Sequence, residues 1–269
     1  MQDTPGSLIR HAAAAACLML GLSGRAWAQA PAPAPSGPEF LPRSQFHLGA
    51  NSLAVETDDE RFSWDGYFGG SVDVVDYVKG RSSIFVDYHP VLGSEFRPFD
   101  PNQAYYVLEV SSSYRAGETE IAVVFHHVSR HLSDRSKEFA IAWNVLGARV
   151  MRQAAASGFT IAARVGGGAI VQHSFVDYQW TADADVTIRR EITPRVGAFV
   201  HGSVEVFAVD GSEPARGSQR GGRVEAGVRI NARGGALELF AGVERRIDAD
   251  PIDRLPRSWG LAGFRLLSK

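Results

Sequence analysis

The feature that most constrains this chain is a two-residue alternation that recurs along most of its length. In "YQWTADADVTI", Tyr178, Trp180, Ala182, Ala184, Val186 and Ile188 form one row, while Gln179, Thr181, Asp183, Asp185 and Thr187 form the other. In "GRVEAGVRIN", Val224, Ala226, Val228 and Ile230 alternate with Arg223, Glu225, Gly227, Arg229 and Asn231. In "ALELFAGVER", Leu237, Leu239, Ala241 and Val243 oppose Glu238, Phe240, Gly242 and Glu244. Successive side chains of a strand point to opposite faces, so each segment has one apolar and one charged face. Helical periodicity is hard to find after the N-terminal stretch. A soluble antiparallel sandwich also alternates in this way. The segments, however, run about 10 to 16 residues, against ~5–6 for a typical soluble strand. That length suits a tilted strand crossing a bilayer, which needs ~9–11 residues plus overhang.

The connections fall into two alternating classes. Short turns are expected at Lys79–Arg81, Ala116–Glu118, Ala154–Gly158, Thr193–Arg195 and Ala232–Gly235. Longer polar loops are expected at Glu56–Arg61, Pro90–Asn102, Ser129–Ser136, Asp210–Gly221 and Asp248–Pro256, with a shorter one near Val176. Short turns at one end and long loops at the other are the pattern of an outer-membrane barrel. The fold class expected is all-β, an antiparallel transmembrane outer-membrane β-barrel of about twelve strands, an even number as such barrels require. The runner-up is a periplasmic β-sandwich. In a barrel the apolar faces meet lipid and the charged faces meet the lumen. Asp65, Asp73, Asp87, Glu109, Arg164, Asp183, Asp185, Arg189, Glu205, Arg223, Glu225, Arg229, Glu238 and Glu244 are lumen candidates of both signs, which suggests a salt-bridged plug. Trp64, Trp143, Trp180, Trp259, Tyr106 and Tyr178 are available for interfacial belts. Glycines in "RVGGGAI" lie within a strand and suit bending or close packing rather than a phosphate loop.

The N-terminus reads as an export signal over residues 1–30, with Arg10, the apolar run "AAAAACLMLGL" and the small-residue end "AWAQA". The one cysteine, Cys17, lies inside it, so disulfides are not expected to contribute. "PAPAPSGP" makes residues 31–43 a stiff spacer, and the barrel domain is expected over 44–269. The net charge of -2 gives no reason to expect a nucleic-acid partner. An exported barrel implies periplasmic chaperones and the barrel-assembly machinery as partners during biogenesis, and the outer membrane as destination.

One strand ends unusually. "EIAVVFHHVSRHLSDR" carries Ile121, Val123 and Phe125 in a lipid-facing row that His127 and Ser129 continue, while His126 and Arg130 fall on the lumen side. Residues i and i+2 on a strand share a face and lie about 6.5–7 Å apart at Cα, within reach of a serine–imidazole pair. A serine becomes nucleophilic when a neighbouring base takes its proton. Polar side chains on a lipid-facing wall are costly and suggest lipid contact.

The His-x-Ser pair on such a strand resembles the lipid A 3-O-deacylases, and the run from His127 to Asp134 resembles a bacterial outer-membrane barrel family with a His-x-Ser-x-His-Leu-x-Asp signature. The first resemblance implies hydrolysis of an acyl ester in an outer-leaflet lipid or lipopolysaccharide. It implies no metal for the eight-stranded type, whereas a twelve-stranded deacylase type uses calcium. Ser129 is the candidate nucleophile, His127 the base and Asp134 the orienting acid, with His131 and Arg130 as candidate headgroup contacts. The deacylase glutamate has no counterpart, because Glu138 lies in the opposite parity to Phe139, Ile141 and Trp143. A metal held by His127, His131 and Asp134, a purely structural role for the motif, and a small-solute channel are the competing readings.

Overall fold

A computed structural model describes residues 35–54, 59–133, 135 and 138–268. The residues read as an export signal, and Asp134, lie outside this set. Twelve strands follow in order: β1 Glu39–Ala54, β2 Trp64–Asp76, β3 Arg81–Gly93, β4 Asp100–Ala116, β5 Thr119–Leu132, β6 Ile141–Ala156, β7 Phe159–Ser174, β8 Tyr178–Glu191, β9 Val196–Val209, β10 Gln219–Asn231, β11 Gly235–Arg246 and β12 Arg257–Ser268. Every strand pairs antiparallel with its sequence neighbours, and β1 pairs with β12, so the sheet closes on itself without an edge. Closure removes the unpaired backbone groups that a lipid environment could not satisfy.

The alternation sorts the side chains as expected. Phe46, Leu48, Val86, Leu108, Val110, Ile121, Val123, Leu146, Val150, Val200, Val224, Leu239 and Phe264 are exposed on the outer wall. Soluble proteins rarely expose contiguous apolar surface beyond a few hundred Å². This surface girdles a closed barrel, so its solvent is lipid and the chain is an outer-membrane β-barrel.

Three boundaries differ from the expectation. Strand β1 begins at Glu39, ahead of residue 44, because Glu39 and Phe40 already pair with Asp76 and Val75. Pro90 lies within β3 opposite Ala104, and Ser129 lies within β5 opposite Tyr106, so both flanking loops are shorter than expected. The aromatic belt also needs correcting. Trp64, Trp180 and Tyr106 face outward, whereas Trp143, Tyr178 and Trp259 are buried inside. A bulge in β8 between Tyr178 and Trp180 sends these two rings to opposite faces.

Inside, charge is neutralised in layers. Arg223 contacts Glu225 and Glu244; Arg246 contacts Asp65 at 2.6 Å and Glu244 at 2.8 Å; Arg265 contacts Glu225 and Glu238. Towards the turn end, Arg81 bridges Asp73 and Glu120. Asp87 pairs with His47 at 2.9 Å and His89 with Asp65 at 3.2 Å. Removing one member of such a buried pair leaves an uncompensated charge and costs about 3–5 kcal/mol. A cavity of about 200 Å³ remains at mid-height, lined in part by His126, Arg149, Arg164 and Thr181.

The loop between β11 and β12 closes the outer mouth. Ala249 and Asp250 are 0% exposed, and Asp248 accepts hydrogen bonds from Tyr178 Oη at 2.5 Å and Arg216 Nη2 at 2.6 Å. Asp250 receives Arg61 and Arg135 at 2.9 and 2.7 Å. Burial raises the Asp250 pKa, but the Ile252 backbone N–H and Arg135 outweigh it, and the carboxyl ends below its usual range. A carboxylate whose folded pKa is depressed stabilises the seated loop above its unfolded value of about 4, and loses that contribution as pH falls through the folded value. Planar-bilayer recordings are therefore expected to show no steady conductance at pH 7, with opening events appearing as pH falls below ~4. Stable open steps at neutral pH would contradict the seated plug.

Candidate functional site

Strand β5 alternates between its two surroundings without a bulge. Ala122, Val124, Val128 and Arg130 are buried inward, whereas Ile121, Val123 and Phe125 are exposed outward. His127, Ser129 and His131 occupy the outward parity, near the loop end of the barrel. The inner side behind them is apolar: Val128 packs in a cluster with Ile141, Trp143, Val145, Val176, Tyr178, Phe207 and Ile247.

The outward polar side chains form two hydrogen-bonded groups. Ser129 Oγ lies 3.1 Å from His131 Nε2. His127 Nδ1 lies 2.6 Å from Asn144 Oδ1, and Asn144 Nδ2 donates to Gln172 Oε1 at 2.9 Å. The second group is a directed relay. Gln172 Oε1 accepts a hydrogen bond from the Asn144 amide N–H, which turns the Asn144 oxygen towards the imidazole. An amide oxygen only accepts, so Nδ1 carries the proton and Nε2 is left as the basic nitrogen. Asn144 supplies this orientation without placing a second charge on a lipid-facing wall, where ionised groups are expensive.

Local backbone geometry builds the relay. Asn144 sits directly opposite His127 in the β5–β6 register. Across the next seam, Asn144 pairs with Gln172 while Val145 pairs with Ile170, so β7 carries one extra residue, Val171. That bulge lets Gln172 join the outer wall; without it Gln172 would share the inward parity of Ile170. Below the bulge β6 and β7 approach closely at glycine. A Cβ on Gly147 would lie 2.3 Å from the Gly167 carbonyl oxygen.

The sequence pattern hides Asn144 for a physical reason. Ile141, Trp143 and Val145 are bulkier than their even-numbered neighbours and look like a lipid-facing row. They point inward instead, filling the outer end of the lumen, and the even-numbered Asn144 faces out. The signal available was the direct cross-strand pairing of Asn144 with His127. Arg130, expected as a headgroup contact, is corrected. It is 3% exposed and turned into the barrel, where it donates to loop carbonyls, so it cannot reach a headgroup from this position. Tyr106, opposite Ser129 on β4, joins the wall with its ring 4.9 Å from that of His131 in an edge-on arrangement. The orienting position assigned to Asp134 lies outside the described residues. Among the described residues no group of three or more His, Cys, Asp or Glu is placed to hold a metal ion.

No protein-family model and no curated protein sequence matches the chain. Solved outer-membrane barrels do resemble it. Outer membrane phospholipase A from Escherichia coli is 11% identical over 83% of this chain and 92% of its own, with a TM-score of 0.49. LpxR from Salmonella typhimurium is 10% identical over 83% of this chain and 99% of its own, at 0.47. A Salmonella typhi outer membrane phospholipase dimer with bound calcium is 10% identical over 84% and 90%, at 0.49. With about one residue in ten shared, these likenesses reach no further than the fold.

The relay makes a spectroscopic prediction. In detergent micelles, ¹⁵N shifts of the neutral His127 ring should report the Nδ1–H tautomer, and Asn144→Ala should move it towards the Nε2–H form. An unchanged tautomer in Asn144→Ala contradicts the relay.

Proposed function

We propose that this barrel is a serine esterase that removes an acyl chain from a lipid of the outer leaflet. The observation that carries the reading is the His127–Asn144–Gln172 relay beside Ser129 on the lipid-facing wall. His127 is the base, because its ring is oriented and its basic nitrogen defined. His131 touches Ser129 Oγ at rest, but its other neighbour is the Tyr106 ring, which fixes no tautomer. The Ser129 hydroxyl turns from His131 to His127 Nε2 and gives up its proton as Oγ attacks the ester carbonyl carbon. The imidazolium, held through Nδ1 by Asn144, then protonates the departing alcohol oxygen. Water, deprotonated by the same nitrogen, cleaves the acyl-serine ester and regenerates the enzyme.

The position fits this substrate class. The site lies at the loop end of the wall, level with an aromatic row of Phe68, Tyr88 and Tyr106 whose rings stand 5.1 and 4.9 Å apart. Such rows mark the headgroup layer, where the ester of a membrane lipid sits. His131, the outermost of the three, faces that layer and is available for a headgroup phosphate. The seated outer loop counts against the alternative of a small-solute channel.

Mass spectrometry of reconstituted membranes containing glycerophospholipid and lipopolysaccharide is expected to show acyl loss from one of them. Ser129→Ala and His127→Ala should each lower turnover by ~10²–10⁴-fold in folded, heat-modifiable protein. Asn144→Ala should lower it by about 10- to 100-fold, the worth of one hydrogen bond to a charged ring. His131→Ala should retain turnover within about tenfold, acting on lipid binding. The assay is run with and without calcium, since a divalent cation beside the ester adds to charge stabilisation. Full activity in Ser129→Ala, or no acyl loss from any lipid, sinks the proposal.

A further inference from the structure

Between Ser129 and His131, the inward Arg130 makes a dense set of contacts. Its Nη1 donates to the Asp248 carbonyl at 2.6 Å. Its Nη2 shares its two hydrogens among Ala249 O and Gln103 Oε1, both at 3.0 Å, and Tyr105 Oη at 2.5 Å. The guanidinium also lies over the Tyr105 ring at 4.3 Å. Gln103 Nε2 reaches the same Ala249 carbonyl at 2.7 Å. One planar fork thus ties β4 and β5 to the loop that fills the mouth. That loop is in turn held by Tyr178 and Arg216 through Asp248.

The strand needs an anchor at this point. Pairing between β5 and β6 ends at Arg130 opposite Ile141, whereas pairing with β4 continues to Leu132. Among the described residues, His131 therefore lies past the last β5–β6 pair and keeps its pairing with β4, and Ser129 lies two residues before it. Strand ends with few partners open first. Only an inward side chain can brace the strand against the plug. Of the two buried residues at this end, Arg130 and Leu132, only Arg130 carries hydrogen-bond donors to do so. We infer, building on the esterase reading, that Arg130 is a positioning residue. By clamping the outer end of β5 to the plug loop from inside, it holds Ser129 and His131 in place on the opposite face.

The test uses full-length barrel in detergent. Hydrogen–deuterium exchange of the 127–132 segment should speed up about tenfold in Arg130→Met, with β9 and β10 unchanged. On acyl-ester substrate in mixed micelles, kcat should fall about 10- to 100-fold with KM nearly constant, as expected for misplaced rather than missing chemistry. Arg130→Lys should recover part of the loss, because an ammonium can reach the loop carbonyls but cannot fork to Gln103 and Tyr105 as well. Tyr178→Phe, which removes the Tyr178 hydroxyl bond to Asp248 of the plug loop, should shift exchange and kcat the same way by a smaller factor, and it keeps the test open if Arg130→Met does not fold. Unchanged exchange in these variants overturns the anchor. Faster exchange with unaltered kcat overturns the positioning role. Wild-type protein without any acyl release removes the esterase reading and the positioning role with it, and the exchange data then show separately whether the anchor exists.

Discussion

Strand β5 works because a pleated backbone can present one face to lipid and the other to a filled lumen, residue by residue. Its inward residues Val128 and Arg130 are locked, one in an apolar cluster and one in a fork of hydrogen bonds to the outer loop. On the lipid side, the described contacts of His127, Ser129 and His131 are a few hydrogen bonds and the Tyr106 ring. Their placement depends on what is packed behind them. The filled mouth of the barrel is therefore part of the candidate site, although the loop that fills it, Asp248 to Asp250, is buried away from the outer wall.

The charge distribution follows the same division. Ionised groups are concentrated inside, where arginine meets carboxylate, as Arg246 meets Asp65 and Glu244. On the outer wall the side chains around Ser129 are imidazoles, amides and the Tyr106 ring, with no carboxylate among their described hydrogen-bond partners. An amide orients His127 where a soluble serine hydrolase would often use a carboxylate. In a low-dielectric setting a permanent anion there would be expensive, whereas an amide dipole would still favour the imidazolium that the proposed mechanism requires.

Much of this was legible from periodicity. The alternation of Val224 to Ile230 and of Leu237 to Val243 specified barrel strands, and the row Ile121, Val123, Phe125 oriented β5 and put His127 and Ser129 on its outer wall. What periodicity could not supply was the effect of local irregularity. The extra residue Val171 brings Gln172 outward, and the extra residue in β8 separates Tyr178 from Trp180. Ile141, Trp143 and Val145 misled because the outer lumen is apolar, so bulk no longer distinguishes lipid from interior. Arg130 was placed on the correct side, but its partners are loop carbonyls far along the chain, which no local pattern encodes.

The proposed esterase chemistry turns on Ser129 being an activated nucleophile open to lipid. The most direct measurement is covalent labelling of the barrel with a long-chain alkyl fluorophosphonate, followed by peptide mapping. One adduct is expected, on Ser129, forming in wild-type protein and failing to form when His127 is replaced by alanine. Labelling that is absent, that maps to another residue, or that persists without His127 would contradict it.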